Sequence, residues 1–381
     1  MNIKPMSDTL QQAMRLIRSG DLTGATRALQ LGLAADLADE GGPRAASWPP
    51  PDSRAAPADE STNCIDGEFR VIDDGPMAAV ARRNPADGLD GVFRSERFAC
   101  SAGALDYRLF IPAGLNGRRA PLLLMLHGCT QSPDDFALGT RMNLRACEHG
   151  YVVAYPQQSA SRNQNRCWNW FRGDDQQRVG GEPAMLAALT RHLIAQHGLD
   201  GARVYVAGLS AGGAMAAVLA STHPDVYVAI GVHSGLPIGL ASDVPSAFAA
   251  MRSGKPSGRS GAGVPAPKPV PAIVFHGDAD TTVHPRNGEA VIAQSLGAMD
   301  AGDAASRAAT VERGVSAGGR RYTRTVHAQH GRVSAEHWLS HGAAHAWSGG
   351  DPAGSYTDPS GPDASAQMLR FFDACARPAG D

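Results

Sequence analysis

The stretch Arg203-Val-Tyr-Val-Ala-Gly-Leu-Ser-Ala-Gly-Gly213 decides the fold. Its first five residues form an apolar run of strand length, and the small residues Ala214-Met-Ala-Ala-Val-Leu-Ala220 that follow at once read as a helix. A strand that passes straight into a helix turns sharply. Gly208 and Gly212, two residues either side of Ser210, supply backbone where the chain comes close to itself. Such a turn lifts the Ser210 hydroxyl above the sheet and sets the Ala211 amide at a helix N-terminus, where an N–H and the helix dipole meet developing negative charge. On these residues alone a serine capping a glycine-rich turn is the plainer reading; the strand, the helix and the partners described below outweigh it.

Outward from this turn, Pro121 to Leu126, Tyr151 to Tyr155, Val226 to Val232 and Ala272 to Phe275 are further short, nearly continuous apolar runs. Strands covered on both faces read this way. Helical stretches at Phe136 to His149, Glu182 to His197 and Ala211 to Thr222 alternate with them. The expectation is an α/β fold with a mainly parallel central sheet and helices on both faces. Val92 to Phe98 and Leu105 to Ile111 read as paired edge strands that lead into it. Residues 1–35 read as a helical hairpin, with Leu10, Met14, Ile17, Leu22, Ala25 and Leu29 at helical spacing. Residues 36–90 read as a flexible linker and lead-in, and residues 91–376 as the main domain. Met251 to Val270 and Gly297 to Ala308 have the composition of insertions, the first a surface loop or, alternatively, a lid.

Composition narrows the function classes. The chain has 381 residues, and Lys plus Arg (35) nearly cancels Asp plus Glu (37), so no global field attracts nucleic acid or an anionic membrane. A neutral or weakly charged substrate fits better. No apolar run approaches the roughly 20 residues of a membrane helix. The N-terminus places Asp8, Gln11, Gln12, Arg15 and Arg18 where a secretory signal needs an apolar core, which makes the cytoplasm the default expectation. The six cysteines are too sparse for a disulfide scaffold and lack zinc-site spacing.

A serine nucleophile needs a base and an acid, which follow it along the chain in this kind of fold. The run Ala272 to Phe275 ends in His276-Gly-Asp278-Ala-Asp280, which offers two carboxylates just past the carboxyl end of a strand. Among His327, His330, His337, His341 and His345, the best base is His345, in the Gly-flanked loop Gly342-Ala-Ala-His-Ala-Trp-Ser-Gly-Gly350. His337, His341 and His345 at spacing four suggest metal ligands only on a helix, and Gly342 and the strand-like Ser334 to Leu339 argue against one. The loop His127-Gly-Cys-Thr-Gln131 after an early strand offers the backbone N–H of Cys129 as a second oxyanion donor beside Ala211.

Leu126-His-Gly-Cys-Thr-Gln131, Arg166-Cys-Trp-Asn-Trp-Phe171, Gly208-Leu-Ser-Ala-Gly-Gly213, the Asp280 loop and His345-Ala-Trp-Ser-Gly-Gly350 together resemble the polyhydroxybutyrate depolymerase esterases, relatives of feruloyl and acetylxylan esterases. The resemblance spans roughly residues 91–376 and implies an α/β-hydrolase fold. It also implies a serine esterase that forms an acyl-enzyme through Ser210, Asp280 and His345, with no cofactor or metal. In such enzymes the loop H-G-x-x-D puts the acid at Asp280, and the cysteine of L-H-G-C-T-Q pairs with the one before W-N-W-F, here Cys129 with Cys167. Trp168, Asn169, Trp170 and Trp347 become expected substrate contacts. The implied substrate is a small or oligomeric hydroxybutyrate ester, with feruloyl or acetylxylan esters as the alternative; an extracellular location, as in secreted depolymerases, is the alternative to the cytoplasm. A non-catalytic interaction protein on a hydrolase scaffold, with the N-terminal helices meeting a protein partner, is the reading from a different class.

Overall fold

The computed structural model describes residues 84–254, 269–297, 307–329 and 331–375. The expected helical hairpin, residues 36–83 of the expected linker, His330 and the interiors of both insertions lie outside the described residues.

The described strands are β1 (Gly91–Cys100), β2 (Gly103–Pro112), β3 (Leu122–Leu126), β4 (Val152–Pro156), β5 (Val204–Leu209), β6 (Ala229–His233), β7 (Ala272–Gly277), β8 (Arg307–Val315), β9 (Arg321–Gln329) and β10 (Arg332–Ser340). They form one sheet in the order β1-β2-β4-β3-β5-β6-β7-β10-β9-β8. Its centre, from β4 through β3, β5, β6 and β7 to β10, is parallel. Both margins are antiparallel. A short parallel pair, β11 (Trp347–Ser348) with β12 (Thr357–Asp358), stands apart from the sheet.

The helices are α1 (Pro133–Thr140), α2 (Met142–His149), α3 (Gly181–His197), α4 (Ala211–Thr222), α5 (Val244–Ser253), α6 (Arg286–Leu296) and α7 (Ala364–Ala374). Side chains alternate across a strand. Leu122, Leu124, Leu126, Val204 and Val206 therefore pack on one face with Leu186, Leu189, Met215, Ala247 and Val291 from α3 to α6. Leu123, Met125, Tyr205, Ala207 and Leu209 pack on the other with Phe136, Met142, Ala146, Met368 and Phe372 from α1, α2 and α7.

Two elements differ from the sequence reading. Phe136 to His149 is two helices, because Arg141 takes a left-handed conformation (φ 56°) after Thr140 Oγ1 has donated back to Phe136 O at 2.7 Å. The run beginning at Val226 becomes a strand only at Ala229, since Val226 N and Tyr227 N both donate to His223 O and close a turn. The strand-like Ser334 to Leu339 belongs to β10, which pairs in parallel with β7 and antiparallel with β9. This pairing sets Leu339 opposite His276 and Ser340 opposite Gly277, so the segments that follow β7 and β10 leave the sheet side by side.

Candidate active site

Ser210 lies between β5 and α4 with φ 57° and ψ −119°, a conformation outside the ordinary regions for a residue with a side chain. Its N–H donates to His233 O at 2.9 Å, and its carbonyl accepts from Ala214 N at 2.9 Å. The glycines around it are forced by contact. A Cβ on Gly212 would lie 2.0 Å from Leu126 O, and one on Gly208 would lie 2.4 Å from the carbonyl carbon of Gly212.

Of the two carboxylates after β7, Asp280 is the one that meets His345. Its Oδ2 accepts from His345 Nδ1 at 2.7 Å, while Oδ1 accepts from the backbone N–H of Thr282 (2.9 Å) and Val283 (2.8 Å). His276 Nε2 donates to Val283 O at 2.8 Å and stands 3.4 Å from Asp280 Oδ2. Burial alone would raise the Asp280 carboxyl, but the hydrogen bonds from His276 and His345 outweigh it and hold the group well below the usual carboxylate range. The carboxylate therefore stays charged and holds the His345 proton on Nδ1, which leaves Nε2 as the basic nitrogen. Asp278 is exposed and accepts from His341 Nδ1 (2.8 Å) and Gly342 N (2.6 Å), so it ties the acid loop to the His345 loop. Ala279 N donates to Ala343 O at 3.1 Å, an approach so close that a Cβ on Gly277 would lie 2.2 Å from the same oxygen. His327 lies on β9; His337, on β10, is half-buried, and burial pushes it down to about 4.

The loop after β3 runs against the serine: a Cβ on Gly128 would lie 3.6 Å from Ser210 Cβ. This is the loop that carries Cys129, and its shape is fixed from several directions. Cys129 and Cys167 form a disulfide. Gly128 N donates to Gln131 Oε1 at 2.9 Å. His127 is fully buried, which pushes it down to about 4, so it is neutral; its Nδ1 donates to Gly128 O (2.8 Å) and its Nε2 accepts from Gln158 N (3.2 Å). Trp168 Nε1 donates to His127 O at 3.2 Å.

Behind the disulfide, Glu182 is buried and accepts from Asn169 N (2.7 Å), Asn169 Nδ2 (2.6 Å) and Gln158 Nε2 (2.5 Å). Burial raises its carboxyl to about 7 in spite of these donors.

The aromatic residues expected to contact substrate are buried. Trp168 is 0% exposed, Trp347 1% and Trp170 6%. Their rings fill the space between sheet and loops, because indoles of this size stabilise most when fully covered. Trp347 Nε1 donates to Ser365 Oγ (3.2 Å) on α7. Asn169 is buried too, engaged by Glu182 and by Asn163 Nδ2 at 3.1 Å.

The sequence reading passed over His233, at the carboxyl end of β6. Its carbonyl accepts the Ser210 N–H; its ring accepts Ser348 N at Nε2 (2.9 Å) and stacks between Phe275 and Trp347. It thus joins the serine turn to the segment just beyond His345. Its position at a strand's carboxyl end, where sites on such sheets gather, is the signal that marks it. Among the described residues no group of three or more His, Cys, Asp or Glu is placed to hold a metal ion, and no helix is long and apolar enough to cross a membrane.

A serine after β5, an acid after β7 and an imidazole after β10, on a sheet with a parallel centre, follow the order of the α/β-hydrolase fold. The solved acetyl xylan esterase from Aspergillus awamori shares this fold: it superposes with a TM-score of 0.54 at 19% identity over 74% of this chain and 99% of that one. The family model described as Esterase PHB depolymerase matches residues 105–316, more than half of the chain, and the chain belongs to that family.

Its similarity to poly(3-hydroxyalkanoate) depolymerase C of Paucimonas lemoignei is 35% identity over 208 residues, 52% of this chain and 49% of that protein. To the probable acetylxylan esterase A of Aspergillus clavatus it is 28% over 194 residues, 47% of this chain and 61% of that protein. The chain spans about half the length of the curated relatives it matches.

Proposed function

We propose that the protein is a serine carboxylic-ester hydrolase that works through an acyl-enzyme on short-chain hydroxyalkanoate esters or oligomers. The observation that carries the reading is the Asp280–His345 pair, held on the loops after β7 and β10 in a family whose serine turn is intact here. His345 Nε2 takes the proton of Ser210 Oγ as the oxygen attacks the ester carbonyl. The amides of Cys129 and Ala211 receive the oxyanion, and Asp280 stabilises the imidazolium. Collapse expels the alcohol, which takes the proton back from His345. Water then repeats the sequence on the acyl-enzyme and releases the acid and free Ser210.

The 35% identity to a polyhydroxyalkanoate depolymerase supports hydroxyalkanoate esters over plant-wall esters, for which matched acetylxylan and feruloyl esterases are 28% and 31% identical. The Cys129–Cys167 disulfide supports an oxidising compartment rather than the cytoplasm. Labelling the full chain with a fluorophosphonate probe and mapping the modified peptide tests the mechanism. Modification at Ser210, lost in Ser210→Ala together with hydrolysis of p-nitrophenyl butyrate, is expected. Unchanged hydrolysis by Ser210→Ala would overturn the reading. Turnover of hydroxybutyrate oligomers against methyl ferulate decides the substrate, and activity on neither removes the substrate assignment.

A further inference from the structure

With the tryptophans buried, an exposed aromatic residue is found on a segment tied both to the stretch after His345 and to the loop after β3. Tyr356 is 49% exposed and takes φ 51°, a left-handed backbone that bulky residues rarely adopt. Its carbonyl accepts Trp347 N at 2.7 Å, which pins its backbone to the segment two residues beyond His345. On the other side its neighbour Ser355 is held by the oxyanion loop and α1. Ser355 N donates to Asp135 Oδ1 (2.9 Å), and Gln131 Nε2 donates to Ser355 O (3.2 Å). Gln131 is the residue whose Oε1 holds Gly128 N. Tyr356 therefore stands where the His345 segment and the oxyanion loop meet, in a conformation held by contacts to both.

The phenol itself is lightly held. It lies 3.5 Å from Thr130 Oγ1, longer than an ordinary O–H···O bond, and Thr130 gives its own proton to Cys129 O at 2.6 Å. The Tyr356 proton can then be given only weakly to Thr130 and is available to another acceptor. A left-handed turn at this place favours glycine or asparagine, so an exposed tyrosine in it points to a task for its ring.

We propose that Tyr356 is a specificity-determining residue: its ring covers the aliphatic part of the ester repeat next to the scissile bond, and its hydroxyl donates to that repeat's carbonyl oxygen. This rests on the esterase reading above. It assigns to one exposed residue the recognition that the buried tryptophans do not provide.

Two variants separate ring from turn. Tyr356→Asn keeps a residue that tolerates the left-handed backbone and removes the ring; Tyr356→Phe removes only the hydroxyl. On linear 3-hydroxybutyrate trimer, Tyr356→Asn is expected to raise KM about tenfold with kcat within about twofold of the parent, and Tyr356→Phe to raise KM about threefold. The KM penalty is expected to shrink with p-nitrophenyl acetate, which has no second repeat. Calorimetric binding of the trimer to Ser210→Ala with and without Tyr356→Asn gives the same comparison without turnover, with a tenfold weaker Kd expected. Equal KM and Kd for parent and Tyr356→Asn would overturn the proposal, as would a fall in kcat that is the same on every ester. Neither result would touch the esterase reading, which fails instead if Ser210→Ala keeps the parent's activity.

Discussion

Asp280 and His345, 65 positions apart in sequence, are joined by a 2.7 Å hydrogen bond from Nδ1 to Oδ2, and the other carboxylate oxygen is saturated by two backbone amides. The bond is set by the strand register. Because β10 lies parallel to β7 with Ser340 opposite Gly277, two loops of independent sequence start from the same height on the sheet.

Asp280→Asn should therefore separate the two acidic residues of this loop. The asparagine amide can turn its N–H toward His345 and favour the wrong tautomer, which lowers kcat by about 10³- to 10⁴-fold. Asp278→Asn loosens only the tie to His341 and Gly342, with an expected effect below about threefold. Kinetics on p-nitrophenyl butyrate check both; similar losses in the two variants would contradict the assignment of Asp280 as the acid.

How much of this was legible in the sequence depends on which force fixed each element. The Ser210 turn was legible because Gly208 and Gly212 are dictated by contacts within the turn and with β3, and the central strands because two-sided burial leaves apolar runs such as Leu122–Leu126. The strands β8 and β9 were not, since Arg307–Val315 and Arg321–Gln329 are polar and no apolar run marks them. The burial of Trp168 and Trp347 was likewise hidden, because composition shows that an indole is present but not which way its backbone turns it. The Tyr356–Thr130 contact and the His233–Ser348 hydrogen bond join residues 226 and 115 positions apart, distances that no local pattern encodes.

The Cys129–Cys167 disulfide should stabilise the fold and hold the oxyanion loop at once. With the cysteines 38 positions apart, restricting the unfolded chain is worth roughly 3–4 kcal/mol. Cys129→Ala with Cys167→Ala is expected to lower Tm, and to lower kcat about tenfold or more because the amide of residue 129 loses its brace. Melting curves and kcat, with and without reductant, check this; a double variant with the parent's kcat would show that the loop is held without the bond.

Glu182 gives stability a distinctive pH dependence. Its carboxyl is raised from the ordinary 4.5 to about 7 by burial, so the folded state holds a proton that the unfolded state has lost between those values. The contribution is fully present below about 4.5 and disappears as pH rises through about 7, with an upper size of roughly 3 kcal/mol. The Tm of the parent minus that of Glu182→Gln should accordingly fall as pH rises from about 5 to about 8, through the folded value. A flat difference would mean that the three donors to Glu182 keep it charged throughout.

His233 supplies the last test, because it connects the serine turn to the base loop through different parts of one residue. Burial holds its imidazole well below the ordinary histidine range, so the ring is neutral and Nε2 is free to accept Ser348 N. His233→Phe keeps a ring between Phe275 and Trp347 but leaves the buried Ser348 amide without its acceptor, a cost of about 1–3 kcal/mol. The segment carrying His345 can then shift, and kcat is expected to fall about tenfold while KM changes little, since the defect lies in the alignment of base and nucleophile rather than in substrate contact. His233→Gln, which offers an acceptor near the position of Nε2, should recover part of kcat although it loses the stacking. Recovery in Gln but not Phe identifies the hydrogen bond as the working element; the reverse order would assign the role to ring packing, and parent-like kcat in both would remove His233 from the site.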